Sequence, residues 1–232
     1  MAAIDKVKVL IVGDSGVGKS CLTHLIAHNE PIHSPTWTVG CSVEVKLHEF
    51  REGTQHQKSY FIELWDIGGS SNHRNTRSVF YNSVHGIIFV HDLTNRKSQQ
   101  NLKHWLAEVL NKEGGKSKQV YDEYDNEQFA GSTMIPMIFI GTKLDLAGEK
   151  RVNGIDKGGG DIAQDWGADK LYLDCRDGRS LTPGSSASVK LSRFFDKVIE
   201  MRFHRHDGMS PSSFDKRRPF SSPMSPKLYM TD

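Results

Sequence analysis

One stretch constrains this chain more than any other. Val7-Lys8-Val9-Leu10-Ile11-Val12 reads as a buried strand that stops abruptly at Gly13. From Lys19 to Asn29 the apolar residues Leu22, Leu25 and Ile26 recur at helical spacing. Between strand and helix stands Gly13-Asp14-Ser15-Gly16-Val17-Gly18-Lys19-Ser20, a match to G-x-x-x-x-G-K-[ST] where its chemistry requires it. Glycines let the backbone curl, so that successive N–H groups and the positive helix end surround a phosphate. Lys19 then reaches the outer phosphates, and the Ser20 hydroxyl is a magnesium ligand. A chance glycine-rich turn would not carry both flanks.

The remaining pattern is that of an α/β doubly wound sheet. Ser42 to Phe50 alternates Val43, Val45 and Leu47 against Glu44, Lys46 and His48, the signature of a half-buried strand. Ser59 to Trp65 is a second strand, and the polar bridge 51–57 makes the pair an antiparallel hairpin. Gly86 to Asp92 and Ile135 to Ile140 are continuous apolar runs, as in parallel strands covered on both faces, and Leu171 to Leu173 is a short one. Helices are expected over Ser98 to Leu110, with Leu102, Trp105, Leu106 and Val109 on one face, and over Val189 to Phe203. Residues 111–133 form a long polar insertion, expected to be flexible, as is the Gly158-Gly159-Gly160 connection. The tail, 204–232, is rich in Ser and Pro and carries the basic surplus of a nearly neutral chain; it is expected to be disordered. So slight a surplus does not point to nucleic acid.

Two further motifs fall at strand ends. Asp66-Ile67-Gly68-Gly69 supplies D-x-x-G, placing Asp66 to hold magnesium through water and the Gly69 amide to meet a terminal phosphate. Thr142-Lys143-Leu144-Asp145 ends another buried strand, where a carboxylate accepts two hydrogens from guanine N1 and its exocyclic amine. Adenine offers no such pair, which disfavours a P-loop kinase.

With these motifs in place, residues 5–203 resemble a Ras-superfamily small GTPase of the Rab type. Trp37-Thr38-Val39-Gly40 is similar to the family's first switch, with Thr38 nineteen residues after Lys19. Gly86 to Asn95 is similar to the Rab-type fourth strand. Asp174-Cys175-Arg176 stands where the family's last guanine-binding loop falls. The resemblance implies a P-loop small-GTPase fold over 1–203: a mostly parallel six-stranded sheet, one antiparallel strand, helices on both faces. It implies GTP or GDP contacts from Ser15, Gly16, Val17, Gly18, Lys19, Ser20, Cys21, Thr38, Gly69, Thr142, Lys143, Leu144, Asp145, Asp174, Cys175 and Arg176. Magnesium falls to Ser20, Thr38 and Asp66. It further implies a homodimer, with protein effectors or small-GTPase chaperones as partners, and a part in the handling or prenylation of other small GTPases.

The departures from the family pattern carry expectations of their own. Ser70 stands where the family has the water-orienting glutamine, so intrinsic hydrolysis is expected to be slow. The rival reading is a GTP-bound scaffold without useful hydrolysis. Thr142 replaces an asparagine whose amide steadies the P-loop, and Pro31 replaces an aromatic over the base; both are expected to loosen the grip on nucleotide. The cysteines are Cys21, Cys41 and Cys175, which neither pair at zinc spacing nor form a disulfide framework. None lies in the tail, so a C-terminal prenyl anchor is not expected, and the reading is a reduced, cytoplasmic protein. His91 and His104 are read as ordinary strand and helix residues. Trp37 is either a partner contact or partly buried in the switch.

Overall fold

The computed structural model describes residues 4–113, 135–148 and 162–204. The expectations for residues 114–133, the glycine connection and residues 205–232 lie outside the described residues.

Six strands form one sheet: β1 (Lys6–Val12), β2 (Cys41–Phe50), β3 (Lys58–Ile67), β4 (Gly86–Asp92), β5 (Met137–Thr142) and β6 (Asp169–Tyr172). Their spatial order is β2-β3-β1-β4-β5-β6, all neighbours parallel except β2 against β3. Side chains of successive strand residues point to opposite faces, so each central strand feeds two cores. Val7, Val9 and Ile11 of β1 join Ile88 and Val90 of β4 on one face, under α1 (Lys19–His28) and α6 (Ser186–Ile199). Leu10, Val12, Ile87, Phe89 and Phe139 face the other way, against Leu102, Trp105, Leu106 and Val109 of α4 (Leu102–Glu113). Short helices α2 (Arg74–Arg77), α3 (Arg96–Gln100) and α5 (Ile162–Asp165) complete the set.

The boundaries differ from the periodicity reading at three places. The expected single helix from Ser98 is two, interrupted at Asn101, and the second enters the polar insertion as far as Glu113. The final helix ends at Ile199 and passes into a wider turn, Glu200–His204. There Phe203 packs on Tyr60 and His204 stacks on Phe50, at ring separations of 5.4 and 5.2 Å.

The larger difference is the face that β2 buries. Val43, Val45 and Leu47 are 46%, 50% and 54% exposed, while the polar residues of the strand turn toward the helices. Each polar head finds a partner there. Lys46 Nζ donates to the Ile26 carbonyl at 3.0 Å, and His48 Nε2 meets Asp196 Oδ1 at 2.7 Å. Glu44 faces His24 and His28 of α1. Buried polar groups are tolerated where such partners exist, and they leave the apolar row of an edge strand outside.

Candidate functional site

All five parallel strands end on one side of the sheet, where ligands gather in folds of this kind. The glycine loop between β1 and α1 lies there because nothing larger fits. A Cβ at Gly13 would stand 2.1 Å from the Val90 carbonyl oxygen of β4. Gly16 and Gly18 have φ of +77° and +94°, which favours glycine. Helix α1 begins without a side-chain cap, so its first amides keep their hydrogen-bonding capacity for an anion.

Lys19 is buried, and its ammonium donates to the carbonyls of Gly13 at 2.9 Å and Asp14 at 2.8 Å. Burial pulls its pKa down to about 8, with Asp66 and Asp14 opposing the shift. A polyphosphate offers this ammonium the counter-charge that loop carbonyls supply only as dipoles.

Ser20, Thr38 and Asp66 converge. Ser20 Oγ donates to Asp66 Oδ2 at 2.5 Å, Thr38 Oγ1 donates to the same oxygen at 2.9 Å, and the two hydroxyls are 2.9 Å apart. Adjacent ligands of an octahedral magnesium ion at about 2.0–2.1 Å lie about 3 Å apart, so these oxygens fit that ion's shell. The other carboxylate oxygen, Asp66 Oδ1, is buried without a hydrogen-bond partner, and burial pushes the Asp66 carboxyl up despite bonds from Ser20 and Thr38. An uncompensated buried carboxylate of this kind calls for a cation.

The second switch is pressed onto the first and onto the cradle. The Gly68 amide donates to the Gly40 carbonyl at 2.9 Å, and a Cβ at Gly69 would meet the Ser15 amide nitrogen at 2.5 Å. Ser70 follows with extended backbone.

At the other end of the cradle, Thr142 is buried, and its hydroxyl contacts the Val17 carbonyl and lies 3.1 Å from that of His91. The expectation that the P-loop tie is lost with the asparagine is therefore corrected: a hydroxyl makes it. Lys143 adopts φ +58° and donates to Asp92 Oδ2 at 2.7 Å. Burial raises the Asp92 carboxyl, but hydrogen bonds from Lys143 and Thr94 outweigh it and hold the group below the usual range. The Leu144 amide donates to Leu173 O at 3.2 Å, which brings the β5 and β6 loops together. Cys175 is buried, and burial, with Cys21, Asp174 and Asp145 nearby, pushes its thiol up to about 12. Asp174 accepts the Arg176 amide at 2.8 Å, while Asp145 and Arg176 are exposed at the rim.

One constellation was not foreseen. Asp14, inside the glycine loop, accepts Asn101 Nδ2 at 2.7 Å and Trp105 Nε1 at 2.8 Å. The Arg77 guanidinium lies 4.1 Å from the centre of the Trp105 ring. Arg77 is buried, forks onto both oxygens of Glu108 at 3.0 Å, and points Nη1 at the carbonyls of Gly68 and Ser70, each 3.4 Å away. Trp105 read as one more apolar residue on a helix face; its indole nitrogen, in need of an acceptor, was the available signal. Trp37 is 83% exposed, which settles its alternatives against burial.

The lowered pKa of Lys19 has a measurable consequence. The free protein holds this lysine partly neutral above pH of about 8, and a bound polyphosphate restores the charged form. Binding of GDP is expected to take up a proton just above that pH and almost none at neutrality. Calorimetry in buffers of different ionisation heat measures this; equal heats in all buffers at the higher pH count against it.

A family profile described as Ras of Complex, Roc, domain of DAPkinase matches residues 8–121. Rab-like protein 3 of Xenopus tropicalis is 51% identical over 94% of this chain and 95% of that protein. Rab-like protein 3 of Homo sapiens is 49% identical over 96% of each. The Small GTPase-like protein LIP2 of Arabidopsis thaliana is 31% identical over 90% of this chain and 67% of its own length. With the glycine cradle and the paired switch glycines, these similarities make the chain a member of the Ras-superfamily small GTPases, within their Rab-like family.

Proposed function

We propose that this chain is a magnesium-dependent GTP switch that hydrolyses nucleotide slowly and passes its state to protein partners. The observation that carries the reading is the convergence of Ser20, Thr38 and Asp66 beside a buried Lys19. Ser20 and Thr38 hold magnesium directly and Asp66 holds it through water; the ion neutralises charge on the outer phosphates. Lys19 and the α1 amides bind those phosphates, the Gly69 amide faces the terminal one, and Asp145 reads guanine beside Lys143 and the 174–176 loop.

Asp145→Asn tests the base assignment. An amide donates to the carbonyl that xanthine carries in place of the exocyclic amine, so preference is expected to move from guanine to xanthine nucleotides in competition binding. Unchanged preference assigns base reading to another residue.

The scaffold reading is favoured by one observation, the serine at position 70. Its side chain is too short to orient water against a phosphate. Ser70→Gln is expected to raise the single-turnover hydrolysis rate about tenfold or more, roughly 1.4 kcal/mol of barrier per tenfold. An unchanged rate means that residue 70 does not set it.

Partner binding falls to the apolar surface beside the first switch: Trp37, Val39, Val43, Val45, Leu47 and Phe61 are all exposed. β2 is an edge strand, and an edge with an apolar row is self-complementary under a two-fold axis, so the occupant is a second copy of this chain. By the same reading the dimer acts in the cytoplasm, in the handling or prenylation of other small GTPases. No helix among the described residues is long and apolar enough to cross a membrane. Val45→Lys is expected to turn a dimer into a monomer in analytical ultracentrifugation while its unfolding midpoint stays close to that of the wild-type monomer. A dimer of undiminished affinity places the interface elsewhere.

A further inference from the structure

His24 and His28 lie four residues apart on α1, so their rings share one face of the helix. Their ring centres are 4.5 Å apart. Glu44 reaches them from β2. The donor atoms of these three residues all lie within 4.8 Å of one another, and this is the one such group of three among the described residues. Glu44 Oε2 is 3.5 Å from His24 Nδ1 and 3.0 Å from His28 Nε2. Ligands of a tetrahedral zinc ion at about 2.0–2.1 Å are separated by about 3.3–3.4 Å, the scale of these approaches. The second observation concerns Glu44 itself. Its Oε2 is buried and accepts no hydrogen bond, so the ring nitrogens come close without aligning an N–H on it.

We propose that His24, His28 and Glu44 form a binding site for a transition-metal ion, zinc above all, with water completing its shell. Two imidazoles and one carboxylate are a zinc donor set, whereas magnesium prefers oxygen ligands alone. The site is therefore chemically separate from Ser20, Thr38 and Asp66. His28 sits in the last turn of α1, where the helix dipole favours a cation.

The ligands bracket the segment 29–43, which carries Thr38. A bound ion ties the end of α1 to the start of β2 and closes this loop at its base, which lowers the entropy of its open forms. The consequence, slower nucleotide release, rests on the nucleotide reading given above; the site itself does not.

The test uses the full chain loaded with GDP in excess magnesium and titrated with zinc chloride near neutral pH. One zinc ion is expected to bind in a step that His28→Gln and Glu44→Gln each weaken by at least about tenfold, since even an outer-shell change costs metal sites about 10–100-fold. Cobalt(II) used in place of zinc is expected to show intensified visible bands that His24→Gln abolishes. Circular dichroism of the metal-free variants, matching wild type, separates ligand loss from misfolding. Zinc is expected to slow release of a fluorescent GDP from wild type and not from Glu44→Gln. No zinc binding, or binding equal in wild type and all variants, overturns the site. A His28-dependent binding step with unchanged nucleotide release overturns the loop-closing consequence alone. Zinc uptake by protein that fails to bind nucleotide upholds the site and overturns the switch reading instead.

Discussion

The carboxylate of Asp66 is the point on which the site depends. It stands at the end of β3, buried, with one oxygen taken by two hydroxyls and the other without a partner. Those hydroxyls come from the start of α1 and from the loop before β2, so one anion joins three segments that are distant in sequence. A buried carboxylate is costly unless charge is brought to it, and Lys19 is the nearest cation that the chain supplies. Lys19 in turn is drawn down by its own burial. Two buried charges that only partly satisfy each other form a site whose stability is completed by a polyphosphate and a divalent cation, and a switch needs that incompleteness.

The Asp14, Trp105, Arg77 and Glu108 chain carries this state outward. Asp14 belongs to the phosphate loop, Trp105 and Glu108 to α4, and Arg77 to the segment after Ser70. Arg77 holds the carbonyls on either side of Gly69, the residue packed most tightly against the cradle. A bidentate guanidinium–carboxylate pair is directional as well as strong, and here it is shielded by an indole ring. The second switch is thereby seated by side chains of its own and of α4, with no contribution from a glutamine at position 70.

The legible parts of this molecule were those whose chemistry is local. The glycine loop, the two glycines after Asp66 and the buried strands could be read because each motif and its flanks lie within a few residues. The Thr142 hydroxyl was misjudged because its partner is Val17, 125 positions away, and only the fold shows that a shorter side chain still spans the gap. Arg77 and Glu108 were invisible for the same reason. The β2 error has another origin. Alternation establishes that a strand has two different faces, but which of them meets the core depends on what the helices offer. Here α1 and α6 offer a carbonyl, a carboxylate and two imidazoles, and the polar face takes the inside.

That inversion bears on how such a switch could act on partners. β2 begins at Cys41, one residue after the Gly40 carbonyl that accepts the Gly68 amide. The strand that exposes Val43, Val45 and Leu47 is thus continuous with the hydrogen bond that joins the two switches. Any change that separates Gly68 from Gly40 shifts the end of that strand, and the apolar row moves with it because the ten-residue pairing with β3 is unbroken from Cys41 to Phe50. A partner seated on the row senses the state of the Asp66 site through backbone alone, without touching nucleotide. By thermodynamic reciprocity the same partner alters nucleotide affinity by the factor with which nucleotide alters its own.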